Sequence, residues 1–461
     1  MATAAPALPS APPAAAPSAA PLPPGPGGAP SLTMLAWALA PTWLMDRCAA
    51  RYGPTFTLRL GGLREMVMVS DPQDIKAVFT APPELAPSAA ASTPVAPIMG
   101  ASSVITLTGA EHLRQRRLLL PPFHGERMRA YNDTIVQATR RELATWPLGR
   151  PMALAERTRA ITLEVILRAV FGVEAQRMDA LRDAIAGLLA PMRLPALVRL
   201  ALTERNLRRP TGAIGRALDH LDAVIYDELH RRRAQSDLHE RSDILSLLLL
   251  ARDEDGQAMT DGELRDELVT LLLAGHETTA TSVAWAVERL VRHPDKLARL
   301  TAEIDAGAGE ESGAGDEYMQ AVIAETLRLR PVVPIVIRVL EAPMRLGGHE
   351  LPAHTRVVPS IHLANRNPRV YDAPREFRPE RFLDSPPDTF SWIPFGGGIR
   401  RCIGASFATL EMKLILATVL SELQPRLPPR THLFRRGEWP RRRAITLVPA
   451  AGARVVWTRR S

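Results

Sequence analysis

The sequence predicts a mainly α fold with small β-sheets, organised around one long central helix. Three observations point there. Apolar residues recur at helical spacing through 125–145, 151–171, 214–234, 261–293, 317–330 and 403–422. Alternating, strand-like segments are few, short and next to paired glycines. No internal repeat and no linker-like shift in composition divides the chain after residue 50. We therefore expect a disordered Pro/Ala-rich leader over 1–21 and one domain over 22–461.

The leader comes first. Ten prolines and eleven alanines fill the first 30 residues, with no basic residue among them. A secretory signal needs a basic start and a sustained apolar stretch. The longest apolar run nearby, Met34 to Ala40, falls far short of the roughly 20 residues that span a membrane. The expectation is a soluble, cytoplasmic protein without a transmembrane anchor.

Thr55–Leu60 and Met66–Ser70, joined across Gly61-Gly62, read as a β-hairpin. Met344–Leu346 and Arg356–Val358, across Gly347-Gly348, read as a second. The segment 261–293 starts at Thr260-Asp261-Gly262-Glu263, a capping box, and stops at Pro294. Such a helix is about 50 Å long, enough to cross the molecule. Midway, the apolar run Leu268–Leu273 meets Ala274-Gly275-His276-Glu277-Thr278-Thr279. An acid and two hydroxyls in a buried helix are costly unless partnered. His276-Glu277 is not the start of a zinc-hydrolase motif, because Ala280 stands where the second histidine is needed.

Charge and cysteine usage exclude several classes. The formal charge is +8 and the pI about 10.1, yet only Lys76, Lys296 and Lys413 among the 57 basic residues are lysines. An arginine-, alanine- and proline-rich composition makes the basicity weak evidence for nucleic acid, and no recognised binding module is present. An acidic protein or an anionic surface is an equally good partner for it. Cys48 and Cys402 lie far apart. Two such residues build neither a disulfide framework nor a multi-cysteine zinc site, so a working cysteine here acts as a single thiolate.

Cys402 stands in the most informative segment. Phe395-Gly396-Gly397-Gly398-Ile399-Arg400-Arg401-Cys402-Ile403-Gly404 follows Trp392-Ile393-Pro394 and leads into an amphipathic helix. Free N–H groups at a helix start favour a thiolate. Gly398 and Gly404 permit sharp turns and close approach of a flat ligand. Arg400 suits a carboxylate, and Phe395 can shield the sulfur. The glycines do not follow a strand and no Walker lysine is present, which argues against phosphate.

The pattern Phe-x-x-Gly-x-Arg-x-Cys-x-Gly closely resembles the haem-binding signature of the cytochrome P-450 superfamily. Other marks of that family occur in its order. Glu325-Thr326-Leu327-Arg328 resembles its Glu-x-x-Arg pair, and Phe377-Arg378-Pro379-Glu380-Arg381-Phe382 resembles the segment whose arginine completes a structural triad. Ala274–Thr279 resembles the oxygen-activation motif. Gly109-Ala110-Glu111-His112-Leu113-Arg114-Gln115-Arg116 resembles the helix that holds a haem propionate, with His112 where tryptophan is frequent.

The resemblance implies the cytochrome P-450 fold, with haem b between the central helix and the cysteine-bearing loop. It implies Cys402 as axial iron ligand, and His112, Arg116, Arg338, Phe395, Gly398, Arg400, Gly404 and Ala274 around the haem. Glu277 and Thr278 would deliver protons to bound dioxygen, while Glu325, Arg328 and Arg381 would shape the fold. Met99, Val104, Ala274, Val333, Ile335 and Ile445 would line a substrate pocket. All six are apolar, which implies a lipophilic substrate such as a fatty acid, terpenoid or steroid.

No flavin, iron–sulfur or nucleotide module is evident, so electrons would come from a ferredoxin or flavodoxin with its reductase. The basic residues Arg114, Arg117, Arg401 and Lys413 are candidates for docking it. A peroxide-using or isomerising haem-thiolate enzyme is the nearest alternative, and a non-catalytic haem sensor or carrier the alternative from another class.

Overall fold

The computed structural model describes residues 21–61, 65–89, 96–172, 175–189, 210–307, 316–383, 385, 387–429 and 437–460. Residues 1–20 of the expected leader and the turn residue Gly62 lie outside them. Helices dominate: α1 (Pro30–Leu39), α2 (Pro41–Tyr52), α3 (Pro72–Thr80), α4 (Ala96–Met99), α5 (Gly109–Leu119), α6 (Asn132–Leu143), α7 (Leu154–Phe171) and α8 (Ala175–Leu189). There follow α9 (Gly212–Arg233), α10 (Ile244–Leu250), α11 (Asp261–Leu290), α12 (Pro294–Asp305), α13 (Glu317–Leu329), α14 (Ile361–Ala364) and α15 (Ala405–Glu422).

The central helix α11 begins as its sequence dictates. The Thr260 hydroxyl accepts from the Glu263 N–H at 3.2 Å, and the Glu263 carboxylate accepts from the Thr260 N–H at 2.8 Å. The helix runs for ~45 Å and ends at Leu290, short of 293, because the chain turns before Pro294 starts α12. Every residue from Thr279 to Leu290 is buried. Neighbouring α7 grips it through hydroxyls: Thr162 donates to the His276 carbonyl at 2.8 Å and Thr158 to that of Ala280 at 3.0 Å. The largest apolar cluster surrounds these helices together with α6, α13 and α15.

Strands β1 (Thr55–Leu58) and β2 (Met66–Val69) form the expected antiparallel hairpin. The second hairpin differs from expectation. β5 (Met344–Leu346) folds back on β6 (His349–Leu351), while β7 (Arg356–Pro359) pairs in parallel with β2, Val357 opposite Val67. Gly347 and Gly348 both have positive φ, the two-residue turn that makes the strand immediately following the partner. β4 (Arg338–Val339) completes the four-stranded sheet.

A three-stranded sheet joins β3 (Pro151–Ala153), β8 (Leu423–Arg426) and β11 (Arg454–Arg459). The predicted helix 151–171 thus opens with a strand, since Met152 pairs with Val455. Likewise 125–145 is divided: a 3₁₀ segment covers Gly125–Tyr131 before α6. Finally, β9 (Pro440–Arg443) and β10 (Thr446–Pro449) form a hairpin, tied to α11 by Trp285 Nε1, which donates to the Leu447 carbonyl at 3.1 Å.

Candidate functional site

Midway along α11 the burial stops on one face. Ala274 is exposed, and Gly275, Glu277 and Thr278 are partly so, although the helix is buried beyond them. The Thr278 hydroxyl donates to the Ala274 carbonyl at 2.7 Å, a local bond to the preceding turn that satisfies it. His276 is buried, with Nδ1 2.8 Å from the Leu272 carbonyl oxygen, and burial lowers its pKa. Glu277 lies between two cations. Its Oε1 is 3.4 Å from Arg443 of β9 and 3.9 Å from Arg159 of α7, and it makes no hydrogen bond.

The cysteine loop is closed by its own backbone. The Cys402 N–H donates to the Phe395 carbonyl at 2.9 Å and the Arg401 N–H to Gly398 at 3.0 Å. Phe395 packs edge-on against Trp392, ring centroids 6.0 Å apart. Gly398 has φ +63, and a Cβ there would stand 2.0 Å from the Phe79 carbonyl oxygen. That glycine is demanded by α3 rather than by a ligand. Gly404 is different: nothing lies within 4 Å of a Cβ placed on it, so the loop is open there to a flat group. Cys402 stands three positions before the first residue of α15 and is open on one side, with protein around the rest. Burial pushes its thiol pKa up, against the opposing pull of the Gly404 N–H, Arg401 and Arg116. The helix start alone therefore does not make the free thiolate; a cation on the sulfur would.

Beside the sulfur lies a surplus of positive charge. Arg116, Arg338 and Arg400 make no ion pair with any described carboxylate. Burial, then the neighbouring guanidiniums of Arg338 and Arg116, lower Arg400 to about 10. Burial alone lowers Arg338 to about 10. His112 is buried, its Nδ1 lacks a partner, and burial together with Arg400, Arg116 and Arg338 lowers it to about 4. Uncompensated buried charge is costly, so this cluster fits a ligand carrying carboxylates. Arg400 also donates to the carbonyls of Val104 at 3.2 Å and Leu107.

The segment Ser103–Leu107 is held from two sides. While Arg400 takes its carbonyls, the Val104 N–H donates to Glu267 Oε1 of α11 at 2.7 Å, and the hydroxyls of Ser103 and Thr270 are 2.7 Å apart. Glu267 is buried, its Oε2 is unpartnered, and burial raises it to about 8. Glu411 of α15 is also buried and raised to about 8, with Thr279 beside it. Sequence reading missed both acids, and also Arg159 and Arg443. The available signal was an acid within an apolar helix face, as in Glu267-Leu268-Val269; nothing local marks the arginines.

Of the expected pocket residues, Met99 and Val104 are buried in the segments packed on α11, and Val333 is partly buried. Ile335 packs beside the cluster of Met45, Met68 and Val358, and Ile445 is about half exposed at the β9–β10 turn. The predicted structural triad is assembled. Arg328 Nε donates to Glu325 Oε2 at 2.6 Å, both fully buried, and Arg381 Nε is 3.2 Å from the same oxygen. Three of the four basic residues expected to dock a partner are occupied within the chain. Arg114 pairs with Asp253 and Glu263 at 2.6 and 2.7 Å, Arg117 with Glu254 and Lys413 with Asp316. Arg401 is exposed and has no such partner among the described residues.

A family model, Cytochrome P450, matches residues 23–449. The chain belongs to the cytochrome P450 family. It is 40% identical over 440 residues to cytochrome P450 135B1 of Mycobacterium bovis, covering 94% of this chain and 91% of that one. To cytochrome P450 137 of Mycobacterium tuberculosis it is 41% identical over 415 residues, 89% and 84% of the two chains. Among solved structures, the retinoic acid-bound cyanobacterial CYP120A1 superposes with a TM-score of 0.80 at 26% identity, covering 96% of this chain and all of that one. The cytochrome P450DA haem domain gives the same TM-score at 22% identity and 96% and 99% coverage, a likeness of fold. This P450 is accordingly a haem-thiolate monooxygenase, and its cofactor is thiolate-ligated haem iron. Among the described residues, no helix is long and apolar enough to cross a membrane.

Proposed function

We propose that Cys402 is the axial ligand and that this P450 inserts one oxygen atom from dioxygen into a lipophilic substrate, with electrons from a separate ferredoxin or flavodoxin-type donor. The observation that carries the reading is the open Cys402 sulfur beside an arginine cluster without counter-charge. When bound, thiolate-ligated haem activates dioxygen, the thiolate pushing electron density that favours O–O cleavage.

The chain's own residues supply the rest. Arg116, Arg338 and His112 would hold the haem propionates, whose charge would offset the repulsion among the arginines. Arg400 would add its charge while fastening the segment Ser103–Leu107. The open faces at Ala274 and Gly404 admit a planar group between α11 and the cysteine loop. The Thr278 hydroxyl, bonded to the Ala274 carbonyl, and the Glu277 carboxyl would supply protons at the open face of α11. Met99, Val104, Val333, Ile335 and Ile445 are the candidate apolar walls. The retinoic acid in the CYP120A1 structure, a lipophilic carboxylic acid, accords with a substrate of the fatty acid, terpenoid or steroid class.

The test is the absorption spectrum of the dithionite-reduced protein with carbon monoxide, beside Cys402→Ser. A strongly red-shifted Soret band, lost in the variant, is expected. A histidine-like carbonyl spectrum in the wild type would overturn the ligand assignment.

A further inference from the structure

A groove of about 400 Å³ opens beside the cysteine loop, walled by that loop, α13 and α15. Its floor is apolar. Ile323 and Ala405 are only 2% and 4% exposed, and Leu410, Trp392 and Phe395 add half-buried faces. Trp392 spends its one donor on the Ala324 carbonyl at 3.1 Å, so it offers the groove a ring and no hydrogen bond. The volume falls within the ~300–1,000 Å³ of small-molecule sites, whose walls are likewise apolar with a few placed polar groups.

The rim carries one uncommitted charge. Asp316 is the only acid among the lining residues, and both its oxygens are taken: Gln320 Nε2 donates to Oδ1 at 2.7 Å, and Lys413 pairs with Oδ2. Arg401 lines the groove, is exposed, and has no ion-pair partner among the described residues. Arg114 and Arg117, the other basic residues expected on the thiolate side, are paired with acids of the chain as Lys413 is. An extended acidic surface would find few of these cations free. A small carboxylate needs only the one guanidinium, which can hold it through two parallel N–H bonds.

We propose that this groove binds a small amphipathic carboxylate, its apolar body on Ile323, Trp392, Phe395 and Leu410 and its anionic head on Arg401. The site is separate from the candidate substrate walls, none of which lines it. Its occupant bears on the sulfur nonetheless. Arg401 adjoins Cys402 in sequence and its charge acts on that side chain. A carboxylate on the guanidinium cancels that charge.

The test uses the full-length, haem-loaded protein, its substrate side blocked with phenylimidazole as a ligand of the haem iron, and titrates decanoate by calorimetry. Decanoate should still bind, at one site. Arg401→Gln should weaken that binding about tenfold and Arg401→Lys less, the loss of one charge-assisted contact. Ser406→Trp, at an exposed lining position, should fill the groove and abolish binding while haem content and melting temperature stay as in wild type. Decanoate should also move the reduction potential to more negative values in wild type and not in Arg401→Gln. That shift rests on Cys402 as the axial ligand, whereas the calorimetry does not. The effect of decanoate on the spectrum of unblocked protein reports the substrate pocket, so failure of the proposed function and failure of this site are distinguishable. Blocked wild-type protein that binds no decanoate would overturn the proposal, as would binding that survives unchanged in Arg401→Gln or in Ser406→Trp.

Discussion

Glu277 of the central helix and Arg443 of β9 face one another, Oε1 to Nη1 at 3.4 Å, with 165 residues of sequence between them. Arg159 stands on the same oxygen at 3.9 Å. A hairpin near the carboxyl end of the chain is therefore coupled electrostatically to the acid assigned to proton delivery. Glu277→Gln is expected to lower product formed per NAD(P)H consumed by about 10²-fold, with haem content unchanged. Arg443→Gln removes one of the two cations facing that carboxylate, so product formed per NAD(P)H consumed should also fall, by a smaller factor. A ratio identical to wild type would remove Arg443 from the relay.

The triad predicts a stability effect. Arg328 spends its guanidinium on Glu325 and on the carbonyls of Asn365, Pro374 and Glu376. Arg328→Leu leaves the buried Glu325 with Arg381 as its remaining cation, at a cost of about 3–5 kcal/mol. Arg328→Lys should recover little, because a single ammonium cannot span those acceptors. Thermal unfolding of the haem-free proteins measures both.

Glu267 predicts a gain. Its pKa is about 8 in the folded chain against an ordinary 4.5, so the folded state retains a proton that the unfolded state releases between those values. Stability is thereby lost as pH rises from about 4.5 to about 8. Glu267→Gln keeps an acceptor for the Val104 N–H and removes the ionisable group. Its melting temperature should exceed that of wild type near the upper end of this window and match it near the lower end. Glu411, raised likewise, retains its own share of the slope in this variant.

His112 predicts a dependence on cofactor. It is lowered from 6.5 to about 4 by burial and by three arginines. The folded state resists a proton that the unfolded state accepts, so stability falls as pH drops from about 6.5 to about 4. A bound dicarboxylate would offset those arginines. Haem-free protein should lose melting temperature more steeply across this window than haem-loaded protein. His362, also lowered to about 4, contributes equally to both forms and cancels in the comparison.

How much of this was legible beforehand follows the range of the interactions involved. The capping box of α11, the cysteine loop and the Glu325–Arg328 pair are written within a few residues of one another, and the chain forms them locally. Their order along the sequence was enough to reveal the family, the cofactor and the helical character. Caps, turns and helical periodicity are short-range effects of backbone sterics and hydrogen bonding. Tertiary structure decided what depends on which distant surface meets which. β7 joined β2 rather than β5, Arg114, Arg117 and Lys413 found acids of their own, and Glu277 acquired two arginines. Periodicity states that a face is buried without naming its partner, and a charge has no preferred neighbour until packing brings one within a few ångströms.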